Sequence, residues 1–145
     1  MIYKATDSDI LAVAQMAVMM WDIHTVEDLC ETFAKIVGGE ESTVFVAEAD
    51  NQPVGFAQCQ LRHDYVEGTH SSPVGYLEGI FVIPQYRCRG YAKELLAKCE
   101  EWAKSKGCSE FASDCELDNN VSLDFHLNVG FAEANRIICF TKKLL

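Results

Sequence analysis

At 145 residues, 49% hydrophobic and 23% charged, the sequence has the length and composition of one globular domain with a real core. A net charge of −10 argues against nucleic acid as a partner, because phosphate backbones require basic patches. It suits a cationic small molecule, which an acidic cleft concentrates, and it equally serves to keep a chain dissolved. No apolar run reaches membrane-spanning length and no signal-peptide core is visible, so a cytoplasmic protein with no membrane contact is expected. The seven cysteines sit mostly inside apolar patterns. They form neither C-x-x-C nor a Cys/His metal spacing, so they read as reduced packing residues and no metal is expected.

Met1 to Lys4 read as a short strand. Thr6 opens a helix, with Asp9 three residues on as its capping partner. Ile10, Val13, Ala14, Ala17, Met20 and Trp21 recur at helical spacing and form its buried stripe. Trp21 ends that stripe just before Asp22 and His24, where it serves either the core or a pocket wall. Thr25 caps a second helix, whose stripe is Val26, Leu29, Cys30, Phe33, Ile36 and Val37; Gly38-Gly39 stops it. Val44 to Glu48 and Val54 to Arg62 read as two strands of a hairpin turning at Asp50-Asn51-Gln52-Pro53. From His63 to Val74 the pattern breaks into a long loop. Tyr65, its one large aromatic, either binds something or pins the loop down.

Tyr76 to Lys106 is the organising unit. Tyr76 to Pro84 is an apolar strand, Gln85 to Ala92 a short basic loop, and Ala92 to Lys106 a helix ended by Gly107. A strand that feeds a glycine-bearing turn and then a helix makes an anion site, because the first N–H groups of the helix lack intrahelical partners. Arg87 and Arg89 in the turn point to a phosphorylated ligand. Cys108 to Asp114 continue as a strand, parallel to the first by the βαβ rule, and ligands bind beyond the carboxyl ends of such strands. Asp114 stands at one of those ends. Asn119 and Asn120 precede a short helix over Val121 to Val129, broken by Gly130-Phe131. Ile137 to Lys143 read as a final strand. Neither a repeat nor a linker is visible, so residues 1–145 are expected to be a single domain.

Glu78 stands in an otherwise apolar strand, where carboxylates are rare without a partner or a task. It serves either a structural hydrogen bond or catalysis. Asp114 is either a second active carboxylate or a turn cap.

Arg87-x-x-Gly90-x-Ala92 after a buried strand resembles the acetyl-CoA signature of the GNAT superfamily of N-acetyltransferases, and Gly130-Phe131 resembles the Gly-Phe after that superfamily's last helix. Arg62-His63-Asp64-Tyr65-Val66, Ser71-Ser72-Pro73-Val74, Leu77-Glu78-Gly79-Ile80-Phe81-Val82 and Ala112-Ser113-Asp114 resemble bacterial aminoglycoside 6′-N-acetyltransferases, nearly end to end. The resemblance implies an α/β GNAT fold: a mixed, mostly antiparallel twisted sheet with a central parallel strand pair splayed for acetyl-CoA, flanked by about four helices. It implies acetyl transfer from acetyl-CoA to the 6′-amine of an aminoglycoside antibiotic, resistance as the outcome, and a homodimer. Other amines, such as a polyamine or a protein amino terminus, stay open, as does a non-catalytic acyl-CoA-binding module.

Residue by residue, the resemblance implies that the backbone of Arg87, Cys88, Arg89, Gly90, Tyr91 and Ala92 surrounds the CoA diphosphate. Gly90 is expected to allow a close approach that a Cβ would block. Phe81, Val82 and Ile83 pair with pantetheine, the Val82 N–H polarises the thioester carbonyl, and Gly79 marks a bulge. Glu78 and Asp114 bind the ammonium and accept its proton, directly or through water. Trp21, His24 and Tyr65 line the substrate pocket, and Asn119 contacts the cofactor. Asn135 falls where relatives carry an acidic substrate contact, but is uncharged. His126 replaces the tyrosine that many members use as general acid; it donates a proton, contacts the cofactor sulfur or only packs.

Overall fold

The computed structural model describes residues 1–145. The elements run β1 (Ile2–Lys4), α1 (Ile10–Met20), α2 (Val26–Ile36), β2 (Ser42–Ala49), β3 (Gln52–Arg62), β4 (Val74–Val82), α3 (Tyr91–Ser105), β5 (Phe111–Ser113) and α4 (Asn120–Asn128). The five strands lie in sequence order in one sheet. All neighbours pair antiparallel except β4 and β5, which are parallel as the strand–helix–strand pattern requires.

Each face of the sheet carries its own core. On one, Val13, Ala14 and Ala17 of α1 and Leu29 and Phe33 of α2 pack on Val44, Val46 and Phe56. On the other, Leu95, Leu96, Cys99, Trp102 and Ala103 of α3 pack on Phe45, Ala47, Ala57, Cys59 and Leu77. Successive β2 residues face opposite sides, so Val44 to Ala47 are all buried. The reading of the cysteines holds: all seven are free, and Cys59 and Cys99 are fully buried.

Local chemistry sets the element ends. The Thr25 hydroxyl accepts from the Asp28 N–H at 3.1 Å and caps α2. At α1 the expected cap is displaced by one turn. Asp9 accepts from the Thr6 N–H at 2.9 Å, but Asp7–Asp9 form a 3-10 turn and the α-helix starts at Ile10. β5 is shorter than the expected Cys108–Asp114, because the Cys108 N–H folds back to the Ala103 carbonyl at the end of α3.

The strand expected over Ile137 to Lys143 does not form. Residues 132–145 lie outside every helix and strand and make no backbone–backbone hydrogen bond. The chain leaves α4 past the long loop, where the Asn135 amide donates to Glu67 at 2.6 Å and Ala134 lies against Gly68. Beyond that point Ile138 is 80% and Phe140 87% exposed. The parallel pair therefore sits at one border of the sheet, with β5 as its last strand.

Candidate active site

β4 carries the site because it is irregular. Gln58 pairs with Gly79 and Cys59 with Leu77, so Glu78 is the extra residue of a β-bulge. The expected bulge is there, one position earlier than Gly79. A bulge bends the strand and re-aims one side chain, and here that side chain is the strand's only carboxylate. Gly79 has a separate reason to be glycine: a Cβ would stand 2.6 Å from the Trp21 indole. Trp21 thus packs against the strand beside the bulge and meets Phe56 edge to face, with ring centroids 6.3 Å apart. It packs against the core under α1 and α2.

Glu78 is not alone. Arg62, the last residue of β3, places Nη2 2.7 Å from each Glu78 carboxylate oxygen. Its guanidinium lies over the Tyr76 ring, 3.4 Å from the centroid. The Tyr76 hydroxyl donates to Asp114 at 2.5 Å. Glu78, Arg62, Tyr76 and Asp114 form one continuous chain of contacts across β3, β4 and the end of β5. Burial lowers the proton affinity of the Arg62 guanidinium, but the Glu78 carboxylate outweighs it and leaves the pKa raised. Burial, then the Asp114 hydrogen bond, pushes the Tyr76 phenol well above its ordinary range. Sequence reasoning found both carboxylates and missed the two residues that join them.

Arg62 also lines an open cleft of about 460 Å³ with Gln60, Leu61, His63, Asp64 and Tyr65. Tyr65 is 75% exposed on the wall of this cleft. The loop that bears it is tied to the sheet by Glu110, which accepts from the His70 N–H and the Ser71 hydroxyl. These bonds hold the Glu110 carboxyl below its ordinary value. His24 lies in the exposed α1–α2 turn, where its N–H donates to the Trp21 carbonyl at 3.2 Å. Asn135 makes no hydrogen bond to Glu78 or Asp114; its amide donates to Glu67 in the loop.

The parallel ladder stops at Leu77 opposite Ser113, so β4 runs on to Val82 with no neighbour on that side. The two edges of β4 alternate in the direction of their backbone groups. The Ile83 N–H donates to the Val54 carbonyl on β3, which removes it from the set available to pantetheine. Phe81, two residues earlier, turns its amide the same way, and Val82 turns its own toward the open side. The Val82 carbonyl, also on that side, accepts from Arg87 Nε at 2.7 Å. Arg87 thus buttresses the end of β4, with its guanidinium 5.3 Å from the Phe81 ring centroid.

After a 3-10 turn at Pro84–Tyr86, Cys88 (φ +62°) and Gly90 (φ +89°) reverse the chain into α3. The N–H groups of Cys88 to Lys93, Tyr91 and Ala92 among them, donate to no acceptor in the protein. Consecutive free amides at a helix N-terminus form an anion cradle that fits a diphosphate. Arg89 lies over the Tyr86 ring at 5.1 Å. A Cβ at Gly90 would meet nothing within 4 Å, so the left-handed backbone, not crowding by the protein, requires glycine.

Asn119 caps α4 by accepting from the Ser122 N–H at 3.1 Å. His126, half-buried beside Phe131, lies between the Ser122 carbonyl, 2.6 Å from Nδ1, and the Ser113 hydroxyl, 2.7 Å from Nε2. A neutral ring that donates from Nδ1 to a carbonyl must accept at Nε2. In that tautomer Nε2 has no proton to give to a leaving thiolate.

The family model described as "Acetyltransferase (GNAT) family" matches residues 11–131. An aminoglycoside N(6′)-acetyltransferase type 1 of Salmonella typhimurium is 41% identical over 124 residues, 86% of this chain and 86% of that protein. Its counterpart in Stenotrophomonas maltophilia is 40% identical over 144 residues, 99% of this chain and 93% of the relative. Among solved structures, AAC(6′)-Iy in complex with the bisubstrate analogue CoA-S-monomethyl-acetylneamine is 36% identical, with a TM-score of 0.94 over 99% of this chain and 97% of that one. A bulged carboxylate strand, a parallel pair that parts beyond it, and a free-amide turn opening the next helix are accordingly the features of a chain that belongs to the GNAT acetyltransferase family.

Proposed function

We propose that the protein transfers the acetyl group of acetyl-CoA to the 6′-amine of an aminoglycoside antibiotic by direct attack, and that this confers resistance. The observation that carries the reading is Glu78 on its bulge, joined through Arg62 and Tyr76 to Asp114, one strand's length from the anion cradle. The relatives named for this activity support the same choice.

Bound acetyl-CoA supplies an activated acetyl thioester. The amides of Cys88 to Lys93, with Arg89, hold its diphosphate. The Val82 N–H, facing the open side of β4, polarises the thioester carbonyl. Glu78 and Asp114 attract the substrate ammonium and take its proton, directly or through water, since only the neutral amine attacks. Trp21, His24 and Tyr65 flank the sugar rings. Asn135 donates to Glu67 at 2.6 Å, so a carboxylate lies beside this uncharged residue.

Mixing the purified protein, acetyl-CoA and tobramycin, kanamycin, spermidine or a peptide, and following thiol release, tests the reading. Release with the two antibiotics supports it. Release only with spermidine or peptide replaces it with another amine acetyltransferase, and tight acetyl-CoA binding without release replaces it with a binding module. For the cradle, Gly90→Val forces a β-branched residue to φ +89° and is expected to weaken acetyl-CoA binding about tenfold or more. The fold should survive, since nothing packs on that position. Unchanged affinity by calorimetry contradicts the cradle.

The same reading takes residues 1–145 as one domain, supported by two cores that share a single sheet. It places the protein in the cytoplasm, in keeping with seven free cysteines and no helix long and apolar enough to cross a membrane. It makes the protein a homodimer, supported by an exposed apolar C-terminal arm and an unpaired β5 edge.

A further inference from the structure

Arg62 is an odd neighbour for a carboxylate expected to meet a substrate ammonium. A guanidinium held permanently by a carboxylate usually makes two parallel bonds from two nitrogens. Here a single nitrogen, Nη2, serves both Glu78 oxygens, and Nε is buried with no partner. The guanidinium rests instead on the face of Tyr76. The Arg62 side chain is 38% exposed, against 17% for Glu78, so it is the more accessible partner of the pair. Arg62 lines the open cleft, and Glu78 lies behind it.

We propose that Arg62 is a specificity-determining and positioning residue: a built-in cation that occupies Glu78 in place of a substrate ammonium and exchanges with it, the Tyr76 ring holding the guanidinium meanwhile. This rests on the amine-acetyltransferase reading of the site. Glu78 and Asp114 carry two negative charges and Arg62 cancels one. The site therefore takes one ammonium at this point rather than two. The positive charge that stays on the Tyr76 face also disfavours the protonated form of the bound amine, which releases the neutral nucleophile. Binding is sacrificed for reactivity by the same residue. The charged and titratable groups around the bound amine are Glu78, Asp114, Arg62 and Tyr76 from the strands, and His63 and Asp64 from the cleft wall.

The test is Arg62→Gln beside the wild type. Without the cation, the bound amine should hold its proton about one pH unit more tightly, the lower end of what a neighbouring charge does. Calorimetry with tobramycin at pH 7 should then give a Kd about tenfold lower. The kcat should fall about tenfold, and the rising limb of the kcat–pH profile should move about one unit upward. Arg62→Lys, which keeps the charge, should restore the wild-type Kd and limb. Arg62→Met, with its stem on the Tyr76 ring, is the second uncharged variant should the glutamine form not fold. Unchanged or weaker tobramycin binding in the uncharged variants, or a limb that stays in place, overturns the proposal. Calorimetry needs no turnover: a wild type inactive on every aminoglycoside sinks the functional reading, while the order of the Kd values still decides the role of Arg62.

Discussion

Glu78→Gln is expected to lower kcat about a hundredfold or more, within the range for losing a positioned proton acceptor, and to leave acetyl-CoA affinity unchanged. The two effects separate because the residue and the cradle lie at opposite ends of the β4–α3 connection. Glu78 sits on the bulge opposite Gln58 and Cys59. The free amides begin at Cys88, beyond Val82 and the 3-10 turn. Glutamine has nearly the size of glutamate, so the bulge, the Trp21 contact on Gly79 and the core behind them persist. What changes is charge. The amide cannot accept a proton from an ammonium, and it pairs with Arg62 through one oxygen where the carboxylate uses two. Asp114→Asn should cost less, because the Tyr76 hydroxyl already donates to one of its oxygens. Steady-state kinetics with tobramycin and calorimetry with acetyl-CoA check both. A Glu78→Gln enzyme with the wild-type kcat removes Glu78 from the proton path, and a comparable fall in acetyl-CoA affinity shows that the substitution has disturbed the cradle.

How much of this was legible depended on whether the signal was local. α3 announced itself through Leu95, Leu96, Cys99, Trp102 and Ala103 on one face, and the turn before it through Gly90. Glu78 was visible as a charge in an apolar strand. Arg62 was not, since an arginine that ends a strand before a polar loop reads as surface. Its contact with Glu78 depends on how β3 and β4 align around the bulge, which brings together two residues sixteen positions apart in the chain. The same parity turns the Phe81 and Ile83 amides toward β3 and leaves only that of Val82 free for pantetheine, because which edge an amide faces follows from the register alone. Tyr76 hid for the opposite reason: a tyrosine in an apolar strand is ordinary, and only the parallel register with β5 brings its hydroxyl to Asp114. Gly90 was found from its place in the turn, and its left-handed backbone angle is a second requirement that only the folded chain reveals.

The C-terminal arm shows the limit of reading one chain by itself, and it carries the second large expected effect. Ile137, Ile138, Phe140, Leu144 and Leu145 are all exposed, and the segment that bears them has the composition of a strand without a ladder. β5 meanwhile offers an edge with no neighbour, which proteins ordinarily cover. Burying five such side chains is worth about 10 kcal/mol per arm. That only balances an association cost of about 4–15 kcal/mol, so one arm docking on one edge would give a marginal complex. Two-fold symmetry doubles the gain against a single association cost, because each chain both gives an arm and receives one. A chain ended at Arg136 should therefore run as a monomer in light scattering, and the full chain should show twice the mass of one chain. The folded core should remain, since residues 137–145 contribute nothing to either hydrophobic cluster. A full-length chain that is monomeric at micromolar concentration, or a truncated chain that stays dimeric, excludes the arm as the link between two copies.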